Sequence, residues 1–313
     1  MAMTIYDISK KAGVSIATVS RVLNGSENVR PSTRKKVMDV IDKYDYTPNA
    51  FARGMGLHSL KTIGILCADS SDLFLAKAVY FLEQELQANG YESLLCCTGY
   101  NPDIKKNYLN LILSKKVDSI ILVGSHFIGF NEDENQYIKD VSTQVPIMLL
   151  NASFDYPNVY STLCDDYGTM FEATAEMIQA GITDILYLYD SKSYSGLKKL
   201  HGFCDAMKEY NIPGFEKLIH FYDGNIEHLN EVADFVARIA TKGTSFHGIM
   251  TSDDSLAIGS IKYAQKKGIR IPEELSVMGY NNSMLTNCCT PELTSVDNRL
   301  DCLLYTSPSP RDS

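Results

Sequence analysis

Hydrophobic residues at the start of the chain recur at intervals of three and four, which is the spacing of amphipathic helices. Ile5 and Ile8 share one helical face, and Val19 and Val22 share another further along the chain. Gly13 stands between the two stripes, where glycine permits a turn that a residue with a β-carbon would strain. The pattern predicts two short helices joined by a tight turn at Gly13.

Polar residues complete this helix pair. Thr4 and Ser15 stand where the two helices would begin, and their hydroxyls suit N-terminal caps. The face of the second helix opposite its apolar stripe carries Ile16, Ala17, Ser20, Arg21 and Asn24. Small side chains, an amide and one guanidinium are groups that a DNA major groove accepts. The spacing favours a helix-turn-helix, although an ordinary helical hairpin shares it and stays open at this point.

A third helix and a linker follow this pair. Residues 31–44 begin with proline and carry Val37 and Ile41 at helical spacing. Residues 48–60 contain Gly54 and Gly56, each of which costs a helix about 1 kcal/mol relative to alanine. We expect this linker to be mostly unstructured in the free protein and helical only on DNA.

From residue 62 onward, short apolar runs alternate with amphipathic stretches. The runs predict strands at 62–68, 91–97, 119–123, 147–151, 184–189, 217–221, 248–250 and 276–279. The stretches predict helices at 73–90, 103–115, 168–180, 196–210, 226–241 and 254–267. This alternation is typical of parallel sheets covered by helices, here in two consecutive lobes. A cleft between the carboxyl ends of the strands in the two lobes is then the expected ligand site.

Length and composition fit a multi-domain globular protein. The 313 residues are 45% hydrophobic and 21% charged, and no apolar run approaches the ~18 residues of a membrane helix. The N-terminus shows no secretory signal pattern, so we expect a cytoplasmic protein with no membrane partner. The eight cysteines include no CxxC spacing, which favours reduced thiols over disulfides or a metal site.

Charge is distributed unevenly along the chain. The net charge is -9, yet residues 1–61 contain ten lysines and arginines against five acids. The remainder is therefore strongly acidic. A basic N-terminal segment on an acidic body suits a DNA-binding module attached to a part that should not bind DNA.

Short motifs in both parts resemble one family. The head carries YDI at 6–8, AGVS at 12–15, TVSRVLNG at 18–25, TR at 33–34, YTPN at 46–49 and AR at 52–53. The body carries DDYG at 165–168, HGF at 201–203, DSLAIG at 254–259, VMGY at 277–280 and PELTSV at 291–296. Over about residues 4–299 the chain is similar to the lactose-repressor (LacI/GalR) family.

The resemblance implies an α/β protein with three parts. These are a three-helix helix-turn-helix head at 1–47, a hinge at 48–60, and a two-lobed core with parallel sheets at 61–301 that resembles periplasmic binding proteins. It also implies a homodimeric transcription repressor, associated with the nucleoid when bound to a pseudo-palindromic operator. No catalytic residue, cofactor or metal ligand is implied.

For the head and hinge, the resemblance implies direct contacts with DNA. Ile16, Ala17 and Arg21 are expected to read bases, with the guanidinium of Arg21 suited to guanine. Phosphate contacts are expected from Ser15, Ser20, Asn24 and Thr33. The implied hinge contacts are Asn49, Ala52 and Met55. Met55 takes the place of a leucine that wedges into the minor groove.

For the core, the resemblance implies a small polar effector, a sugar or nucleoside, in the cleft. The implied contacts are Asp69, Leu73, Phe74, Lys199, Asp253 and Asn281. Lys199 replaces a frequent arginine, and its ammonium cannot reproduce a planar guanidinium fork. Asn281 replaces a frequent aspartate, and Asp253 stands where asparagine is common. These departures leave open an unusual sugar, a non-sugar effector, or regulation by a protein corepressor without any effector.

Two further expectations concern the tail and the rival functions. Residues 302–313 read CLLYTSPSPRDS, which cannot form the long final helix of the family. We expect this tail to be non-native, the natural C-terminus to be missing, and apolar surface on the first lobe to be uncovered. A solute receptor is disfavoured by the basic head. An enzyme is disfavoured because the nearest acidic pair, Asp165-Asp166, stands at a helix start.

Overall fold

The computed structural model describes residues 3–23, 25–46 and 59–300. In the head, the helices are α1 (Ile5–Ala12), α2 (Ile16–Leu23) and α3 (Pro31–Lys43). Their inward faces enclose a small core of Ile8, Val19, Val22, Val37 and Ile41. The three helices predicted from the apolar spacing are present.

The first lobe is a parallel sheet with helices on its faces. Its elements in chain order are β1 (Thr62–Cys67), α4 (Leu73–Ala88), β2 (Glu92–Cys97), α5 (Pro102–Ser114), β3 (Ser119–Val123), α6 (Gln136–Ser142), β4 (Ile147–Leu150) and β5 (Val159–Thr162). The strand order across the sheet is β2-β1-β3-β4-β5, with every pair parallel. Strand β1 is buried from Ile63 onward because helices cover both faces of the sheet at its centre.

The second lobe repeats this plan. Its elements are α7 (Asp166–Gln179), β6 (Ile185–Tyr189), α8 (Tyr194–Glu209), β7 (Ile219–Phe221), α9 (Leu229–Thr241), β8 (Gly248–Thr251), α10 (Asp254–Lys267), β9 (Ser276–Tyr280) and β10 (Thr294–Val296). The strand order is β10-β9-β8-β6-β7, again all parallel. The predicted α/β class with two parallel-sheet lobes is confirmed.

Several boundaries differ from the sequence prediction. Strand β7 begins at Ile219 because residues Phe215–Leu218 form a 3₁₀ turn. Helix α9 begins at Leu229 because the residues before it turn around Asn225, whose side chain accepts the Glu227 N–H at 2.8 Å. The sequence prediction lacks strands β5 and β10 and helix α6, because they are only 4, 3 and 7 residues long.

Close packing of α7 on α8 explains the glycine of the HGF motif. A β-carbon on Gly202 would lie 2.3 Å from the Tyr167 carbonyl oxygen. The neighbouring Phe203 is fully buried and stacks on Tyr187, with ring centroids 4.6 Å apart. Glycine at this position therefore lets two helices approach while an aromatic residue fills the core beneath them.

The chain returns from the second lobe to the first at its end. Strand β10 pairs with β9, yet Leu300 is buried in the first lobe's core with Ile63, Ile65 and Leu75. The proposed non-native tail at 302–313 lies outside the described residues. No described helix has the length and apolar character needed to cross a membrane.

Candidate functional site

Two local caps build the helix pair of the head. The Thr4 hydroxyl accepts the Asp7 N–H at 3.4 Å, and Asp7 in turn accepts the Thr4 N–H at 2.9 Å. This reciprocal arrangement satisfies donors that a helix start leaves free. The hydrogen bonds that Asp7 accepts from the Thr4 hydroxyl and then from the Thr4 N–H lower the pKa of Asp7. Gly13 ends α1 with φ 66°, in the left-handed region that favours glycine.

The Ser15 side chain starts α2. Its hydroxyl accepts the Thr18 N–H at 3.2 Å and shares a 2.9 Å hydrogen bond with the Thr18 hydroxyl. At the C-terminal end of α2, Arg34 of α3 donates to the carbonyls of Val22 and Ser26, at 3.4 and 2.5 Å. The second helix is thus fixed at both ends against the rest of the head.

Helix α2 separates buried from exposed side chains as the sequence predicts. Val19 and Val22 lie in the core, whereas Ile16, Ala17 and Arg21 are exposed. Ser20 and Thr33 are half-buried and Ser15 is exposed. Asn24, Asn49, Ala52 and Met55 lie outside the described residues. The three residues predicted to read bases are therefore on the exposed side of α2, opposite the core.

The second candidate site is a large cleft between the lobes. Its volume is about 710 Å³, and it is lined at the carboxyl ends of strands from both sheets. All six predicted effector contacts line it: Asp69, Leu73, Phe74, Lys199, Asp253 and Asn281. The sequence thus identified residues that the fold brings together from positions more than 200 apart.

Three of these residues have side chains that other groups already hold. The Lys199 ammonium is buried, donates to the Ser252 carbonyl at 3.0 Å and lies 3.9 Å from the centre of the Tyr280 ring. Asn281 donates to Asp253 at 2.9 Å and accepts a hydrogen bond from Asn298 at 2.8 Å. Lys199 and Asn281 therefore shape the wall of the cleft as much as they offer groups to a ligand.

The first lobe's predicted residues lie at the start of α4. Asp69 accepts hydrogen bonds from the Ser71 N–H and hydroxyl, both at 2.8 Å. Phe74 packs against the first lobe's core while also lining the cleft. Leu73 is exposed to the cleft.

Other lining residues were not predicted from the sequence. They include Asp72, Tyr100, His126, Asp190 and Ser193. Asp190 directly follows β6, and Asp72 caps α4 by accepting the Leu75 N–H at 2.8 Å. Position at the carboxyl end of a strand is the signal that could have identified them.

Burial sets the ionisation of several lining groups. It raises the pKa of Asp72 to about 6, with further increases from the charges of Asp253 and Asp190. It lowers the pKa of His126 to about 4, helped by the charge of Lys105, so that this imidazole is neutral at pH 7. Burial and then Asp190 raise the pKa of Asp253, although the Ser255 N–H at 2.7 Å opposes the rise. Each ionised carboxylate of the cleft therefore disfavours ionisation of its neighbours.

The lobes touch at one wall of the cleft. The Ser125 hydroxyl, after β3, donates to the Ser193 hydroxyl, which caps α8, at 2.8 Å. Ser193 is itself held by Ser191 at 2.9 Å. This hydroxyl chain links a first-lobe loop directly to a second-lobe helix.

The acidic pair at 165–166 has structural roles. Asp165 caps α7 by accepting the Gly168 N–H at 2.9 Å. Asp166 is buried and accepts the Tyr280 hydroxyl at 2.8 Å. These contacts account for both carboxyls through helix capping and through a link between α7 and β9.

Two family descriptions match this architecture. Residues 4–49 match "Bacterial regulatory proteins, lacI family", and residues 60–304 match "Periplasmic binding proteins and sugar binding domain of LacI family". The first match covers the helix pair with its caps, and the second covers both lobes and the cleft.

Individual relatives agree with these matches. An HTH-type transcriptional regulator of Lachnoclostridium phytofermentans is 50% identical over 98% of this chain and 91% of its own length. Catabolite control protein A of Priestia megaterium is 32% identical over 95% of this chain and 87% of its own. Among solved structures, the lac repressor dimer bound to operator and the anti-inducer ONPF superimposes with a TM-score of 0.83 at 20% identity, covering 97% and 92% of the two chains.

Proposed function

Because this chain belongs to the LacI family of bacterial transcriptional regulators, we propose that it represses transcription as a homodimer on a pseudo-palindromic operator. A small effector in the interlobe cleft, a sugar or sugar derivative, controls operator affinity. The observation that carries this proposal is the pairing of a capped helix-turn-helix, its reading face exposed, with a 710 Å³ cleft. A regulator of this kind acts on chromosomal DNA, so we place it in the bacterial cytoplasm, at the nucleoid when bound.

In this proposal α2 enters the major groove. The Arg21 guanidinium donates two hydrogen bonds to a guanine, and Ile16 and Ala17 contact thymine methyl groups. Ser15, Ser20, Asn24 and Thr33 contact phosphates, which orient the head without specifying sequence. The exposure of Ile16, Ala17 and Arg21 supports this assignment. The position of Ser15 as the N-terminal cap of α2 also supports it, because a helix N-terminus favours a nearby anion such as a phosphate.

The linker extends the grip on DNA. Asn49 and Ala52 contact the minor groove, and Met55 wedges between base pairs at the operator centre. Its two glycines make the linker's helical state costly off DNA. Release of the operator is then easier than for a linker without them.

An exposed apolar surface supports the homodimer. Leu94 and Leu95 of β2 and Tyr80 of α4 are 37, 44 and 59% exposed. Leu95 shares a face of β2 with Ser93, which donates to Glu83, one turn after Tyr80, whereas Leu94 points to the opposite face of the same edge strand. Large apolar side chains grouped at a sheet edge mark an interaction surface. A second copy of the chain is the partner that a pseudo-palindromic operator requires.

Regulation would be a coupling of about 1–3 kcal/mol between cleft and operator. Effector binding changes the angle between the lobes and with it the separation of the two linkers. The two heads then no longer match both half-sites, and the bivalent grip is lost. A cavity of about 710 Å³ favours this scheme over regulation by a corepressor alone, because it can hold a small sugar.

The test is selection of an operator from random duplexes by the wild-type protein, followed by anisotropy titrations. Arg21→Ala should weaken binding by ~1–3 kcal/mol and lose preference at one G·C pair. Arg21→Lys is the matched variant, because it keeps the positive charge and loses only the planar guanidinium that binds guanine through two hydrogen bonds. If Arg21→Ala selects the same operator with unchanged affinity, the docking of α2 is wrong.

A further inference from the structure

The cleft is lined by far more acid than base. The carboxylate residues in its lining are Asp69, Asp72, Asp190, Glu227 and Asp253. Lys199 is the one lysine or arginine among the described lining residues, and the low pKa of His126 keeps its imidazole neutral at pH 7. An anionic ligand such as a sugar phosphate would therefore be repelled.

These acids have no ion-pair partner within 3–23, 25–46 and 59–300. The ion pairs among the described residues involve none of the five acids. The charge of Lys199 lowers the pKa of Asp253, but its ammonium makes its hydrogen bond to the Ser252 carbonyl and lies over the Tyr280 ring. Five carboxyl groups of the cleft thus face a single lysine among the described lining residues.

These carboxylates accept hydrogen bonds from uncharged donors. Asp72 is held by the Leu75 N–H, Asp190 by the Ser252 hydroxyl at 2.8 Å, and Asp253 by Ser255 and Asn281. Only one oxygen of Asp190 is so engaged within the described part of the chain. Burial and the charges of Asp253 and Asp190 raise the pKa of Asp72, which places these groups within electrostatic reach of one another.

Partly buried carboxylates without a counter-charge are costly, and a neutral ligand would desolvate them further. A cation would offset that cost. We propose that the effector of this cleft carries a protonated amine, and that Asp72 of the first lobe and Asp190 of the second bind it from opposite walls. An ammonium group has three donors and no acceptor, which matches walls that offer carboxylate acceptors.

The same geometry couples binding to lobe movement. Asp72 belongs to the first lobe, whereas Asp190 and Asp253 belong to the second. Their like charges oppose approach of the lobes, and an ammonium between them removes that opposition. The Ser125–Ser193 hydrogen bond already joins the lobes beside this point. The amine is therefore the part of the effector that holds the two lobes together.

An organic cation fits better than a metal ion. No group of three or more histidine, cysteine, aspartate or glutamate side chains in the described ranges is arranged to hold a metal. The cleft volume also suits a molecule of sugar size. This inference rests on the proposed function and narrows its effector to an amino sugar or a similar polyhydroxylated amine.

The test compares matched pairs of sugars that differ in one amine. Calorimetry and thermal shift on the full chain would use D-glucosamine with D-glucose, D-galactosamine with D-galactose, and D-mannosamine with D-mannose. At least one amine should bind about tenfold more tightly than its neutral partner. N-acetyl-D-glucosamine, which has no charge, should show no such gain.

Charge-neutralising variants locate the effect. Asp72→Asn keeps the helix cap and Asp190→Asn keeps an acceptor for Ser252, so both should fold. Each should reduce the preference for the amine to less than about threefold, whereas Asp133→Asn, an exposed first-lobe control, should retain it.

Each outcome decides the inference. Tighter binding of the neutral sugars overturns the amine while leaving the regulator function in place. An amine preference that survives in both Asp72→Asn and Asp190→Asn would show that Asp72 and Asp190 do not bind the amine. No binding by any sugar of the panel up to tens of millimolar overturns both the amine and the sugar effector, and operator binding by Arg21→Ala then tests the head separately.

Discussion

The head and the cleft are built in opposite ways. The caps of the head join residues three apart, such as Thr4 with Asp7 and Ser15 with Thr18. The cleft instead depends on contacts between distant residues, as in Ser125 with Ser193, 68 positions later. A site made of local signals can be identified from sequence, whereas one assembled from many strand ends emerges only when the lobes fold together.

The largest expected effect is on the head. Val19→Ala removes buried volume from a core of five buried side chains and should cost about 2–3 kcal/mol. A unit of this size has a low free energy of unfolding. Operator binding should fall at least ~30-fold in anisotropy titrations, while ligand binding in the cleft stays unchanged.

Met38→Ala is the matched control for this comparison. Met38 lies on α3 and is 40% exposed, so its truncation should change operator affinity by less than about threefold. If Val19→Ala also abolished ligand binding in the cleft, the head and the core would not be the independent units described above.

The second expected effect is on the lobe that carries half of the cleft. Gly202→Ala places a β-carbon against the Tyr167 carbonyl and should destabilise the second lobe by ~1–3 kcal/mol. Calorimetric unfolding should show a lower midpoint. Glu209→Ala, at the exposed end of the same helix, should leave the midpoint unaltered. Equal midpoints for both variants would show that α7 and α8 are not closely packed.

The smallest expected effect concerns the charge of the cleft. The pKa of Asp72 is raised to about 6 in the folded protein, above the unfolded value near ~4. Between these values the folded state keeps a proton that the unfolded state releases, so this carboxyl lowers stability as pH rises from about 4 to 6. Asp72→Asn should therefore be about 1–2 kcal/mol more stable than wild type at pH 7, with no gain near pH 4.

Urea unfolding at pH 4, 5, 6 and 7 measures this difference, with Asp133→Asn as the surface control. A gain that did not vary with pH would assign the effect to something other than titration of Asp72. Asp190 and Asp253 face Asp72 across the cleft. Their negative charges raise the pKa of Asp72, as burial does.

The comparison also explains which features the sequence could predict. Thr4, Gly13 and Ser15 act on their own helices, so their roles follow from residue type and spacing. The strand and helix periods were strong enough to predict two parallel-sheet lobes. Strand β5 was missed because its residues are mostly half-buried and show no alternation.

Within the cleft, prediction depended on motif resemblance more than on physical pattern. Lys199 and Asn281 reach the cleft as the resemblance implies, yet nothing local indicates that Lys199 would be held by Ser252 or Asn281 by Asn298. Asp72 and Asp190 stand 118 positions apart and become one electrostatic unit only through the facing of two sheets. That relation is absent from any short stretch of sequence.

The central claim is that a ligand in the acidic cleft controls the basic head. The direct measurement is the operator dissociation constant of the full chain, without ligand and with each of the three amino sugars at saturation. At least one of them should change the wild-type constant about tenfold or more, and Asp72→Asn should lose this response. An operator affinity that none of them changes would contradict it.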